Sequence, residues 1–390
     1  MMIWGAALIP ILVLLVLYAF YQRKVLGWEF LLQMAVPLAV IALCKLGVET
    51  SQTNDKEYWG GWVARAEYDE EWNEKVPCRH EKECTHRDKK GNRKHSNDGY
   101  KHAYDVDNHP PVWQAVGSNQ ETIFISSRTF EELCQKFGSR KFVEINRDYH
   151  TIDGDRYVTE WDRSDERLEA VTTIHSYENR VQASSSVFTF PEVNPEDYGL
   201  FDYPKITGDY DCESLLGDGG STTEKARRLL TIANARLGAQ KQVRMFVIVF
   251  KNQPLQAGFD QQSYWKGGNK NEFVLTIGVD SQCLVQWCHP FSWSEVEDLK
   301  VDARNMVISQ KALDLVAVVE WLADNIRMRF RRKEFKEFSY LAVEPSLWGV
   351  AAAYGITLLA SVCLAVWSVK NQYNEANPGG RPRSRGFRRW

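Results

Sequence analysis

Three long apolar segments, two at the start of the chain and one near its end, constrain this protein more than any other feature. Residues 1–21 contain no charged side chain, and as a helix they would span about 31 Å, close to the hydrocarbon thickness of a bilayer. Residues 28–48 and 346–369 are similar, with Glu29 and Lys45 near the ends of the second segment, where long side chains reach the interface. Core helices of soluble proteins seldom run uncharged over such a length. We therefore predict three transmembrane helices, with the lipid bilayer as the first partner.

A short connection between the first two segments makes residues 1–48 a helical hairpin, and basic residues predict its orientation. Arg23 and Lys24 lie in this connection, and further basic residues fill the tail, residues 370–390. Basic flanks of membrane helices favour the cytoplasmic side. We therefore expect a multi-pass protein of the cell membrane, with a cytoplasmic tail and an extracytoplasmic central region over residues 50–343.

The charge and composition of the whole chain exclude two classes of protein. The 390 residues carry a formal net charge of −3, and this near-neutral balance argues against a nucleic-acid-binding surface, which would be strongly basic. Aromatic residues make up 12% of the chain, which excludes a mainly disordered protein. One basic run, from Arg327 to Lys336, opposes the predicted orientation, but long domains translocate largely regardless of their charge.

The first part of the central region has the pattern of a β-rich module. Residues 50–190 carry β-branched and aromatic residues between turn signals, which is typical of short strands. Inside this module, the residues from Ser127 to Phe137 predict a short helix that ends at Gly138. Residues 191–220, with several Pro, Gly and Asp, predict a linker or a long ordered loop.

Residues 221–343 alternate helices with buried strands, which predicts an α/β layered domain. A capping box of Ser221 and Glu224 is expected to start a helix that ends at Gly238. Two near-continuous apolar runs predict strands buried on both faces, and a shorter strand and one long helix follow them. These elements are expected at Val243 to Phe250, Phe273 to Val279, Cys283 to Trp287 and residues 302–334. The predicted fold class is a membrane-anchored α+β protein, in which three transmembrane helices, the last over residues 346–369, flank a β-rich module and an α/β layered domain.

Two sets of motifs connect this chain to known families. The stretch from Gly199 to Tyr203, and the stretch from Tyr264 to Glu272 that enters a buried strand, resemble the TPM-type domains of membrane-anchored proteins in bacteria and plastids over about residues 199–326. This resemblance implies an α/β fold and an extracytoplasmic location more than an activity, because a full set of that family's acidic positions has no counterpart here. The N-terminal part, through Glu57-Tyr-Trp-Gly-Gly61 and Tyr104 to Trp113, resembles uncharacterised phage and bacterial membrane proteins, which implies no known function.

Histidine and cysteine residues concentrate in the segment from Cys78 to His109. Imidazole and thiolate are the ligands that zinc prefers, and a structural site needs four of them. We therefore predict that zinc binds in this segment. The candidate ligands are Cys78, His80, Cys84, His86, His102 and His109. Two other interpretations stay open: a disulfide between Cys78 and Cys84, which an oxidising exterior permits, and a polar loop without metal.

Three weaker patterns lie in the second half of the central region. Three aspartates form a small acidic group that could hold a cation or supply a general acid, and two thiols further along the chain are interpreted as core residues or metal ligands. The aspartates are Asp202, Asp209 and Asp211, and the thiols belong to Cys283 and Cys288. The glycine-rich stretch from Gly217 to Thr223 lacks the Gly-Lys-Ser/Thr ending of a phosphate loop, so we interpret it as a flexible loop before a capped helix.

The end of the chain is strongly basic and carries two aromatic residues. Such a segment suits anionic lipid headgroups, at about 1 kcal/mol for each basic residue near the surface. The predicted lipid-binding residues are Arg381, Arg383, Arg385, Arg388, Arg389 and Trp390. A nucleic-acid or protein partner in the cytoplasm, and a role in topology alone, are the competing interpretations.

These patterns lead to two functional hypotheses. The first is a non-enzymatic membrane protein that displays an extracytoplasmic binding region, which zinc would stabilise, to a protein partner or an envelope component. The alternative is a membrane-anchored, metal-dependent hydrolase of phosphatase type that uses the His/Cys segment or the aspartates near Asp209. A closed four-ligand metal site would favour the first hypothesis, and three ligands with a water would favour the second.

Overall fold

The computed structural model describes five stretches of the chain, residues 2–21, 27–77, 104–184, 190–206 and 211–371. These residues belong to two compact units. The terminal unit consists of Met1–Lys56, Ser176–Pro191 and Glu334–Trp390, and the central unit consists of Glu57–His175 and Glu192–Lys333.

Within the described residues, helices and strands are numbered in chain order. The α-helices are α1 (Leu8–Tyr21), α2 (Gly27–Thr53), α3 (Ser127–Phe137), α4 (Thr223–Lys241), α5 (Gln256–Tyr264), α6 (Glu297–Ile308), α7 (Leu315–Arg329) and α8 (Leu347–Asn371). The strands are β1 (Asn54–Asp69), β2 (Trp72–Val76), β3 (Asp105–His109), β4 (Val112–Gly117), β5 (Thr122–Phe124), β6 (Lys141–Val143), β7 (Arg156–Glu160), β8 (Ala170–Glu178), β9 (Leu215–Leu216), β10 (Arg244–Lys251), β11 (Glu272–Val279) and β12 (Val285–Ser292).

The terminal unit confirms the three apolar helices. In the part of the chain that the structure describes, the helices long and apolar enough to cross a membrane are Ile3–Tyr21, Gly27–Thr53 and Leu347–Lys370. Trp28 at the start of α2 lies beside Trp367 near the end of α8, with ring centroids 6.3 Å apart, so these two helices are antiparallel. A hydrogen bond of 2.9 Å from the Gln33 amide to the Ser361 carbonyl joins them, because a polar group in an apolar bundle requires a protein partner.

The first half of the central unit is built on a six-stranded sheet. Its strand order is β5-β4-β1-β7-β6, and β8 also pairs with β1. Helix α3 packs its apolar face on this sheet. Ser126 accepts a hydrogen bond from the Thr129 amide at the start of α3, and Gly138 adopts a left-handed conformation after its end. The predicted helix from Ser127 to Phe137 is therefore confirmed.

The second half is built on a four-stranded sheet that is covered on both faces. Its strand order is β12-β11-β10-β9, with β9, β10 and β11 parallel and β12 antiparallel at the edge. Helices α4, α6 and α7 pack on one face of the sheet. Aromatic side chains before β9 and after α5 pack on the other face, among them Phe201, Tyr203 and Trp265. The two buried strands predicted from apolar runs are confirmed as β10 and β11.

Two expectations about helices in this half are wrong. The predicted helix over residues 302–334 is two helices, α6 and α7, because the chain between them turns to pair with the segment before β12: the Leu313 amide donates to the Cys283 carbonyl. Asp314 then caps α7 by accepting from the Val316 amide. Helix α4 begins at Thr223 without the capping box of Ser221, and it continues beyond Gly238 to Lys241.

The last strand also differs from its expected bounds. A strand from Cys283 to Trp287 was expected, and β12 instead runs from Val285 to Ser292. Cys283 has a positive φ of 61°, which belongs to the turn before the strand. Pro290 lies inside β12, as is possible for an edge strand because Pro removes one backbone donor. The pairing with β11 carries the strand past Pro290 to Ser292.

Candidate functional site

Most of the predicted zinc ligands lie outside the described residues. These are Cys78, His80, Cys84, His86 and His102. His109 is described: its ring stacks on Trp72 with centroids 4.1 Å apart, and its Nε2 lies 3.2 Å from an oxygen of Glu74. Within the described ranges there is no group of three or more His, Cys, Asp or Glu side chains that could hold a metal ion. The zinc site therefore stays a prediction about the segment that begins at Cys78.

The predicted lipid-binding residues of the tail also lie outside the described part of the chain, which ends at residue 371. They are Arg381, Arg383, Arg385, Arg388, Arg389 and Trp390. Their affinity for anionic headgroups stays a prediction.

The aspartates expected to act together make separate contacts, as far as the structure describes them. Asp211 pairs with Arg244, with an Nη2–Oδ1 distance of 2.8 Å. Asp202 instead accepts a hydrogen bond of 2.6 Å from the Tyr264 hydroxyl. Asp209 lies outside the described residues.

Of the two predicted thiols, Cys288 is a core residue, whereas Cys283 is half-buried in the turn before β12. Cys288 belongs to the core cluster between the sheet and its helices, and burial raises its pKa to about 12. Burial likewise raises the pKa of Cys212 to about 11. Such thiols stay protonated at neutral pH, and a protonated thiol is a poor nucleophile and a poor metal ligand.

In the glycine-rich loop after β9, the Asp218 carboxylate accepts the hydrogen bonds that a bound phosphate would need. Asp218 accepts a hydrogen bond of 2.9 Å from the Gly220 amide and one of 3.1 Å from the Thr223 hydroxyl. These two bonds lower the pKa of Asp218. A phosphate at the start of α4 would meet this negative charge, so the geometry agrees with a capped loop and disfavours nucleotide binding.

A groove of about 420 Å³ lies between α5, β12 and α6, and we call it the α5–α6 groove. Leu255, Phe259 and Gln262 line one side. Strand β12 supplies the floor with the residues from Cys288 to Ser292. The other wall consists of α6 residues, namely Glu297, Lys300, Val301 and Arg304. Pockets that take small ligands begin at about 300 Å³, so the groove has room for one.

His289 lies on the groove floor. Its Nε2 is 2.8 Å from the Gln262 side-chain oxygen, and its ring centroid is 4.4 Å from that of Phe259. Burial lowers the pKa of His289 to about 4, and the charges of Arg304 and Lys300 act in the same direction. The imidazole is therefore neutral at pH 7, in a surrounding that disfavours added positive charge.

Gly258 allows α5 to lie this close to β12. A Cβ atom at this position would be 2.9 Å from the Trp287 ring and 3.2 Å from the His289 Cβ. Such contacts are tighter than ordinary van der Waals distances, so any side chain here would push α5 outward. The missing side chain thus brings Phe259 and Gln262 within reach of His289.

The two cations on α6 have different surroundings. Lys300 pairs with Glu297 at 2.7 Å and also donates to the Ser292 carbonyl at 3.3 Å. The Arg304 side chain makes no hydrogen bond and no ion pair with any residue that the structure describes. The positive charge of the groove is therefore concentrated at Arg304.

Sequence reasoning missed this groove. His289 was considered only as a neighbour of Cys288, and Phe259 and Arg304 belong to elements about 30 and 15 residues away along the chain. The alternation along β12 did carry a signal, because His289 and Cys288 must point to opposite faces of a strand. The structure buries Cys288 in the core cluster, where it borders the groove, and places the His289 ring on the groove side, beside Phe259 and Gln262.

Comparisons with known proteins identify no relative. No family model, no curated protein and no solved structure matches this chain. The resemblance to TPM-type domains therefore stays an expectation from the sequence.

Proposed function

We propose that this chain is a membrane protein whose central unit binds a ligand or partner outside the bilayer without transforming it. The observation that carries this proposal is the α5–α6 groove, which combines exposed apolar side chains, a neutral histidine and a cation without a partner among the described residues. Three apolar helices keep this binding region at the membrane. The resemblance to TPM-type domains supports an extracytoplasmic position, as does the basic tail.

Buried ionisable groups support binding over catalysis. A catalytic acid, base or nucleophile must be free to contact a substrate. In the described central unit, Asp211 pairs with Arg244, which is fully buried, and Glu57 pairs with Arg332 at 2.5 Å. Glu272 accepts a hydrogen bond from the Tyr203 hydroxyl. These carboxylates hold the fold together and do not face the groove.

The groove itself lacks the geometry of an acid–base pair. His289 has Gln262 as its hydrogen-bond partner, and Gln262 cannot accept a proton from it. The carboxylate on the groove wall, Glu297, is paired with Lys300. This arrangement suits recognition of a ligand more than transfer of a proton.

A blocking substitution tests this proposal. The full-length chain is placed in lipid nanodiscs and screened against a fragment library by ligand-observed NMR. Val301 lines the groove and is 56% exposed, so Val301→Trp is expected to fill the groove and abolish binding of the groove ligands. Ile308 is an exposed apolar residue of the same helix outside the groove, so Ile308→Trp is the matched control and should leave binding unchanged.

Two results would overturn the proposal. The first is that the screen finds no fragment that binds the wild type but fails to bind Val301→Trp. The second is hydrolysis of an aryl phosphate ester by the purified chain with Zn²⁺, Mg²⁺ or Mn²⁺, which would favour the phosphatase-type alternative.

A further inference from the structure

We infer that the α5–α6 groove binds anions that carry a flat apolar group, such as aryl carboxylates and aryl phosphates. This inference rests on the proposed binding function and names its ligand class. It follows from three properties of the groove: the sign of its charge, the shape of its apolar side and the way the two are held together.

The charge of the groove favours an anion. Glu297 and Lys300 neutralise each other, so Arg304 leaves a net positive charge on the wall. A guanidinium presents its donors as a planar fork that matches carboxylate and phosphate oxygens. A bound anion would give Arg304 the partner that no described residue supplies.

The apolar side of the groove favours a flat group. Phe259 is 44% exposed, and its ring lies against His289 at 48° between the ring planes. Leu255 and Val301 add exposed apolar surface on the two sides. An aromatic ring of the ligand could contact Phe259 while its anionic group reaches Arg304, and rings in offset or edge contact attract each other beyond the effect of area burial.

The polar groups of the groove disfavour a cationic ligand. Because the Gln262 side-chain oxygen accepts from Nε2–H of His289, the neutral ring leaves Nδ1 as an acceptor and adds no charge to the floor. A cationic ligand would meet Lys300 and Arg304 without a free carboxylate to compensate it. The groove thus discriminates between ligands by charge first and by shape second.

Four small probes test this inference on the full-length chain in nanodiscs by titration calorimetry. Benzoate and phenyl phosphate carry both features, benzyl alcohol lacks the charge, and inorganic phosphate lacks the ring. We expect both anionic aryl probes to bind at least ten-fold more tightly than benzyl alcohol and inorganic phosphate. Comparison of benzoate with phenyl phosphate shows which oxyanion the groove prefers.

Two substitutions test which groove residues contribute to the affinity, and a third serves as the control. Arg304→Gln is expected to weaken phenyl phosphate binding about ten-fold, because it removes the charge and the fork. Arg128→Gln removes an exposed arginine of α3, far from the groove in sequence, and should leave the affinity unchanged. Phe259→Leu should weaken phenyl phosphate binding and leave the affinity for inorganic phosphate unchanged. Equal melting temperatures of the variants exclude misfolding as the cause.

The possible failures are distinguishable. Benzyl alcohol binding as well as benzoate, or Arg304→Gln binding phenyl phosphate like the wild type, would overturn the anion inference. If the aryl anions fail while other fragments bind and are lost in Val301→Trp, the ligand class is wrong and the binding function stands. If no probe and no fragment binds in the groove, the proposed function fails as well.

Discussion

Arg244 is a charged residue at the start of a strand whose interior is otherwise apolar, and it is completely buried. Its guanidinium donates to Asp211 at 2.8 Å, to the Thr172 hydroxyl at 3.2 Å and to the Ser214 hydroxyl at 3.1 Å. Burial of an arginine is tolerable only with such partners, since an uncompensated charge in the interior costs several kcal/mol. The network therefore depends on Asp211 for its opposite charge.

Removal of that carboxylate should destabilise the central unit strongly. We expect Asp211→Ala to lower the free energy of unfolding by about 3–5 kcal/mol, because Arg244 keeps its charge without a counterion. Asp202→Ala breaks only an exposed contact with Tyr264, and we expect a loss below about 1 kcal/mol. Urea unfolding of the full-length chain in micelles measures both variants, and equal losses would contradict this account.

His289 predicts a pH dependence of stability. Its pKa is about 4 in the folded protein and about 6.5 in an unfolded chain. The unfolded state thus binds more protons between these values, so stability is fully present above about pH 6.5 and falls as the pH is lowered toward 4. Because the ring is partly exposed, we expect this loss to be about 1–2 kcal/mol after allowance for solvent screening.

Comparison with His289→Gln isolates this contribution from the other titrating groups. Unfolding curves of wild type and variant between pH 7 and pH 4 should differ in slope, and the wild type should lose more stability over that range. Parallel curves would show that His289 does not carry a depressed pKa.

At the scale of elements, one close approach inside the central unit depends on two glycines. Gly238 lies within α4, and a Cβ there would be 2.3 Å from the Gly60 nitrogen. A Cβ at Gly60 would in turn be 2.2 Å from the Asn234 carbonyl oxygen. The neighbours are backbone atoms, so the contact cannot relax by a side-chain rotation.

This contact should reverse the usual helix preference. Alanine is favoured over glycine in a helix by about 1 kcal/mol, yet we expect Gly238→Ala to destabilise the protein by more than about 2 kcal/mol through overpacking. Ala239→Gly, one residue later, should follow the ordinary preference and cost about 0.5–1 kcal/mol. If thermal melting shows Gly238→Ala to be the more stable of the two, the backbone contact is not as close as described.

The break between α6 and α7 shows which element boundaries the sequence could not predict. Leu313, Leu315, Val318 and Val319 follow an apolar spacing that continues the pattern of Val307, and this favours one helix. The chain turns because Leu284 and Ala312 form a β-bridge, and the Val285 amide donates to the Lys311 carbonyl. Such pairing joins residues nearly 30 positions apart, which local periodicity does not report.

At the scale of the molecule, the predicted orientation can be tested by labelling. In a variant whose native cysteines are replaced, a single cysteine at Arg128, which is exposed on α3, is expected to react with a membrane-impermeant maleimide on intact cells. A single cysteine at Ser384 in the basic tail should react only after permeabilisation. The opposite pattern would place the central unit in the cytoplasm.

The zinc hypothesis also belongs to this scale, because metal binding is coupled to folding. His80→Ala and His102→Ala are each expected to release about one zinc per chain and to lower the melting temperature. His95→Ala changes a histidine of the same segment outside the candidate set and serves as the control. Two findings together would contradict the hypothesis: the wild type contains no stoichiometric metal, and mass spectrometry finds a disulfide between Cys78 and Cys84.

The sequence by itself determined the membrane helices, the short helix α3 and the buried strands β10 and β11. Each of these elements can be predicted from one continuous run of residues, because its signal is local: a long apolar segment, a capping residue or an uninterrupted apolar strand. Only the tertiary structure decided the candidate site. Phe259, His289 and Arg304 come from α5, β12 and α6, and they meet because Gly258 lets α5 approach the sheet while α6 packs beside β12. Sequence spacing does not predict that these three residues lie close together, because tertiary packing sets the distance between residues far apart in the chain.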